Sequence, residues 1–248
     1  MALSFMICVT AVTLELCAVV LLLRNSLWRV YPFFFTYAIW VLIANSTMLV
    51  TDLYFRSFYP IVYWQIDGID LLVRLLVVWE VFRQTFPKSS GLNRSFSKGL
   101  GIVALILLVF ACATFLDYAN YTGLRPLHLA LERSFGFVQA IMIFGVLIMA
   151  RYYGVQYGRN IRGIAFAFGA WASISTANSA MLDLNVSFRP YGDYFRPISF
   201  VAMLVVWVWA LSVYEPNPPI MESEELELSQ WTQQWNRTIS ATRTIIRP

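Results

Sequence analysis

The sequence predicts an all-α fold: a bundle of seven transmembrane helices with its N-terminus outside the cytoplasm and its C-terminus inside. Three observations predict it. Of the 248 residues, 59% are hydrophobic and only 13% are charged, whereas a soluble domain is nearer half apolar and a quarter charged. The apolar residues gather in long blocks, and a block of about 20 residues crosses the ~30 Å hydrocarbon core as a helix. Between the blocks, loops rich in Lys and Arg alternate with poor ones, the pattern left by the positive-inside bias.

The blocks are 4–23, 32–51, 59–84, 99–118, 126–150, 163–183 and 195–214. The first starts almost at Met1, lacks a basic leader and carries Glu15 at its middle, so it reads as a retained helix and not as a cleaved signal. Connections are short, which places each helix beside its sequence neighbour. The longest, from Thr85 to Lys98, contains Pro87, Ser89, Ser90 and Gly91 and reads as a polar turn. After the seventh block, Glu215-Pro216-Asn217-Pro218-Pro219 is a rigid exit that divides a membrane domain, 1–214, from a tail, 215–248. In the tail Leu228, Trp231, Trp235, Ile239, Thr242 and Ile246 recur at helical spacing. Acidic residues stand at its start and Arg237, Arg243 and Arg247 at its end, the polarity that suits a helix dipole. A cytoplasmic amphipathic helix lying on the membrane or against a partner follows.

Orientation comes from the loops. Arg24 and Arg29; Arg83, Lys88, Arg94 and Lys98; Arg151, Arg159 and Arg162; and Arg237, Arg243 and Arg247 fall on one side, twelve in all. Arg56, Arg125, Arg189 and Arg196 fall on the other. The first side is therefore cytoplasmic. Trp28, Tyr31, Tyr59 and Tyr194 near helix ends fit an interfacial belt. Cys8, Cys17 and Cys112 all lie within apolar blocks and read as small buried hydrophobes.

A parallel internal repeat is also indicated. Ala44-Asn45-Ser46-Thr47-Met48-Leu49 in the second block matches Ala177-Asn178-Ser179-Ala180-Met181-Leu182 in the sixth. Leu76-Val77-Val78-Trp79 in the third matches Leu204-Val205-Val206-Trp207 in the seventh. Blocks 1–3 would then correspond to blocks 5–7 with the fourth as connector, the 3+1+3 arrangement of the SWEET sugar transporters. The chain lacks their Pro-Gln signature.

Absences narrow the chemistry. Lys88 and Lys98, the two lysines, sit at one cytoplasmic loop, so no helix offers the amine of a retinal Schiff base. His128 is the sole histidine, which excludes bis-histidine haem and the multi-histidine zinc site of the progestin-receptor and ceramidase-like families. No cofactor, metal or enzymatic activity is predicted. The basic residues do not cluster as nucleic-acid binding requires. What remains is a set of ionisable and amide side chains at membrane depth. Asp67, Asp70 and Arg74 fall within a stripe about 60° wide on the third helix, with Asp70 and Arg74 spaced for an ion pair. Glu15 lies mid-membrane in the first, Glu132 and Arg133 about two turns into the fifth, and Asn45 and Asn178 in the second and sixth. Such groups face a bundle interior or a wet cavity. Four acids against two bases predict that at least one carboxyl is protonated or neutralised by a bound cation. A closed salt-bridge network holding the helices together is the alternative reading. Glu80 and Arg83, on the far side of the third helix, read as an interfacial pair.

The stretch Trp79-Glu80-Val81-Phe82-Arg83-Gln84-Thr85-Phe86, with the Glu-Pro exit after the seventh block, resembles a group of uncharacterised bacterial seven-helix proteins. The resemblance implies the architecture and a bacterial inner membrane, and no activity. The first functional reading is a receptor-like or sensory protein with a polar intramembrane site that signals through a separate partner. A small transporter or channel, perhaps proton-coupled, is the second, and a structural subunit of a membrane complex the third. The partners expected are the lipid bilayer, a small molecule or ion in the polar site, and a protein docking on 220–248.

Overall fold

The computed structural model describes residues 2–85, 121–152, 158–184 and 189–215, with Ile102, Leu105 and Gln230; the side chains of 2–4, 121–133, 182–191 and 193 fall outside that description. The described chain is all-α. Its long helices are α1 (Ala2–Arg24), α2 (Pro32–Tyr54), α3 (Tyr59–Thr85), α4 (Tyr121–Tyr152), α5 (Arg159–Leu184) and α6 (Arg189–Leu211). They are the first, second, third, fifth, sixth and seventh predicted blocks. The fourth, 99–118, lies outside the described residues apart from the helical, exposed Ile102 and Leu105. The tail from 216 lies outside them too, except Gln230.

Four helices contain stretches long and apolar enough to cross a membrane: Phe5–Arg24, Pro32–Tyr54, Ser134–Tyr152 and Tyr194–Leu211. This is the signature of a membrane-embedded chain. α3 and α5 are as long, and they carry the polar side chains. The distribution of burial agrees. Val20, Ile43, Val50, Phe137, Phe166 and Val205 stand exposed on the outer surface, an apolar exterior that water would not tolerate and lipid does. Inside, Phe34, Tyr37, Phe168 and Trp207 are fully buried.

The helices pack in chain order as a closed ring, α1 through α6 with α6 returning to α1, and α3 also touches α5 across the middle. Small residues set the closest approach. A Cβ added to Gly163 on α5 would overlap Ala210 on α6, so the two backbones meet there without intervening side chains. Gly163→Leu is expected to lower stability by about 1–3 kcal/mol through overpacking. Gly145→Ala, where an added Cβ meets nothing within 4 Å, is expected to cost nothing, because helix propensity favours it. Melting in detergent compares the two; equal losses would mean that the α5–α6 approach is not tight.

Long-range hydrogen bonds finish the arginine-rich end. Pro32 opens α2, and Tyr31 supplies no side-chain cap. Glu80 of α3 does so instead: its Oε2 accepts from the Phe33 N–H at 2.8 Å, and its Oε1 accepts from Gln84 Nε2 at 3.1 Å. Gln84 Nε2 also donates to the Val30 carbonyl at 2.6 Å. Glu80 is therefore a buried helix cap and not an interfacial partner of Arg83, because a first-turn N–H has no acceptor within its own helix. Arg83 lies over the Phe33 ring, 5.9 Å from its centroid. At the same end, Asn160 Nδ2 donates to the Ala210 and Val213 carbonyls at 2.6 and 2.8 Å, and its Oδ1 accepts from the Glu215 N–H at 2.8 Å.

Other expectations need correcting. Tyr31 is fully buried in the core, and half-buried Tyr59 lines a cavity, so neither is a plain belt residue. Cys17 is exposed, on the outward side of α1, whereas Cys8, nine residues and so half a revolution away, is half-buried on the face that carries Glu15; Cys112 lies outside the described residues. Thr85 belongs to α3 and is buried, not part of the following turn.

Candidate functional site

α2, α3, α5 and α6 enclose a cavity of about 440 Å³. Its length follows from α3, which lines it from Tyr59 to Arg74, about 22 Å of helix axis at 1.5 Å per residue. The deep end is formed by Tyr37, Arg74 and Trp171, all buried. The shallow end is formed by Tyr59, Tyr63 and Arg196, beside the α2–α3 connection. Below Tyr37 the interior is filled. Phe34 and Trp207 meet edge to face at 4.8 Å, Tyr37 and Phe168 at 5.4 Å, and Phe168 stacks on Trp171 at 5.8 Å. Such edge-to-face and offset contacts are favourable beyond burial alone, and they close the cavity off from the arginine-rich end.

α3 brings Asp67, Asp70 and Arg74 to the same cavity wall, as a spacing of three and then four residues on a helix dictates. Arg74 forms a close ion pair with Asp70, shares the deep end of the cavity with Tyr37, and lies over Trp171 with its guanidinium carbon 4.5 Å from the ring centroid. This combination of carboxylate and aromatic face is what lets a guanidinium remain inside a bundle. Behind it, Gly136, Ser175, Thr176 and Ser179 surround a much smaller space.

One charged residue was missed. With the seventh helix started at 195, Arg196 is its second residue and counts with the outer-side charges. The observed α6 begins at Arg189 with Pro190 in its first turn, where a proline's missing N–H costs nothing. Arg196 thus lies about 10 Å into the helix, on the cavity wall, with a guanidinium nitrogen 3.7 Å from Asp67 Oδ1. Among the described residues the cavity wall accordingly holds two carboxylates and two guanidiniums. The longer α6 also places Pro197 inside a helix and on the cavity wall, leaving the Asp193 carbonyl without its usual backbone donor.

Asn45 lines the cavity, and its Nδ2 donates to Glu15 Oε1 across the α1–α2 contact. Glu15 is only 3% exposed, and its Oε2 has no hydrogen-bond partner among the described residues. Asn178 is placed differently. It is buried and donates to the Gly192 carbonyl at 3.1 Å, tying α5 to the start of α6 away from the cavity. The two asparagines therefore reach toward non-equivalent neighbours. Glu132 and Arg133 lie on α4, and their side chains are outside the described residues.

The chain matches no protein-family model, and neither the curated proteins nor the solved structures contain a significant relative of it. Any functional reading must therefore come from the cavity and the residues that line it.

Proposed function

We propose that the protein is a receptor-like, multi-pass protein of a bacterial inner membrane whose charged cavity binds a small molecule from outside the cytoplasm. It would have seven transmembrane helices, the fourth being 99–118, with the N-terminus outside and the C-terminus cytoplasmic. The observation that carries this reading is a cavity with one shallow end and an aromatic floor. The shallow end lies opposite the arginine-rich end, which the Lys/Arg distribution assigns to the cytoplasm. A volume of this size with a few convergent charges on apolar walls is the usual form of a small-molecule site. Occupancy would be reported through the packed aromatic floor to a separate partner, with 220–248 as the docking segment.

A carrier is the second reading, and the ring order favours it. Shifting each helix three places along the ring maps α1–α2 onto α4–α5, α2–α3 onto α5–α6, and α3–α4 onto α6–α1, and all of these pairs are packed. That is the order a parallel 3+1+3 repeat requires. Pro197 at the cavity is the kind of helix interruption such carriers use.

Met48 lines the cavity. In a chain with Cys8, Cys17 and Cys112 replaced by alanine, Met48→Cys is expected to react with a membrane-impermeant maleimide added to right-side-out vesicles. Reaction only from the cytoplasmic face would sink the proposal. Uptake of the ligand into proteoliposomes would favour the carrier over the receptor.

A further inference from the structure

The cavity's charges stand in two pairs at different depths, and this bears on what the cavity takes. Arg74 and Asp70 are a tight pair at the deep end, further engaged by Trp171. Asp67 and Arg196 face each other at 3.7 Å nearer the mouth, the Arg196 side chain being 31% exposed. Among the described residues, two carboxylates and two guanidiniums leave the wall formally neutral.

We infer that the ligand is a zwitterion of the α-amino-acid type with an apolar or aromatic side chain, its ammonium on Asp67 and its carboxylate on Arg196. This rests on the reading of the cavity as a ligand site. A simple anion at Arg196 would leave Asp67 beside a second negative charge, and a simple cation at Asp67 would displace Arg196 with nothing in return. Uncompensated charge is costly at membrane depth. A ligand whose ammonium and carboxylate are separated by one carbon satisfies both residues at once and keeps the wall neutral. A guanidinium fork suits a carboxylate in particular. Beyond the charged pair the walls are apolar, with Val41, Ile66 and Phe200 facing the space, so the remainder of the ligand is apolar as well.

The test is protection of Met48→Cys from the impermeant maleimide in the cysteine-free background. Leucine, phenylalanine and tryptophan are each compared with their amides, which keep only the ammonium, and their N-acetyl derivatives, which keep only the carboxylate. At least one free amino acid is expected to slow labelling tenfold or more at saturation, its two derivatives having little effect. Arg196→Gln should abolish that protection while leaving Met48→Cys reactive. Protection by an amide or an N-acetyl derivative equal to that by its parent overturns the zwitterion. So does a reactive Met48→Cys that none of the three amino acids protects, or protection that survives Arg196→Gln. A Met48→Cys that never reacts from outside instead overturns the underlying ligand-site reading.

Discussion

Arg74→Ala is expected to destabilise the protein by about 3–5 kcal/mol, the typical cost of removing one partner from a buried ion pair. Arg74 is 5% exposed. Its removal leaves Asp70 without its close partner and beside Asp67 on the same wall, and it strips the cation from the Trp171 ring. The double variant Arg74→Met with Asp70→Leu should recover most of the loss, since well-packed apolar residues often replace a buried pair at no net cost. Melting in detergent at neutral and at high pH provides the comparison. The rescued protein also separates two roles for the pair. If amino-acid protection of Met48→Cys persists in it, the Asp70–Arg74 pair is scaffold; if stability returns without protection, the pair belongs to the binding site. An unchanged melting temperature for Arg74→Ala at both pH values would mean that Arg74 is solvated and the interior site does not exist.

Glu80→Ala is expected to cost about 3 kcal/mol, because it strands a buried backbone donor at the start of α2 and releases Gln84. Glu80 is fully buried, so water cannot easily replace its oxygens. Glu80→Gln is expected to retain part of the stability, since the amide oxygen still accepts from Phe33 while its NH2 cannot accept from Gln84. Arg83→Met should cost less than about 1 kcal/mol, because half-buried Arg83 keeps contact with solvent and a methionine retains its packing over Phe33. A large loss in Arg83→Met matched by an equal loss in Glu80→Gln would instead return Glu80 to the role of an ion-pair partner. Thermal melts of the three single variants decide.

The sequence by itself determined what depends on neighbours along the chain. Helix identity and membrane character follow from apolar blocks of sufficient length, and all six described long helices lie on predicted blocks. The common face of Asp67, Asp70 and Arg74 follows from helical periodicity alone. Boundaries were less legible: whether α6 starts at Arg189 or at Phe195 turns on Arg189-Pro190, a pair compatible with a loop or with a first turn. A start at 195 leaves Arg196 and Pro197 in the first turn, whereas a start at Arg189 puts both about two turns into the helix. Only the tertiary structure decided which residues meet across helices. Glu80 caps α2, Asn160 closes the end of α6, Arg196 faces Asp67, Asn45 turns to Glu15 and Asn178 turns away from the cavity. The physical reason is that a helix's own hydrogen bonds are satisfied within the segment, so hydrophobic pattern reveals it. The partner of a buried side chain depends on the rotation and register of a second helix, set by small-residue contacts such as Gly163 against Ala210. The aromatic floor has the same origin. Phe34, Tyr37, Phe168 and Trp207 are ordinary apolar residues in their own segments, and only the closure of the ring stacks them beneath the charged cavity.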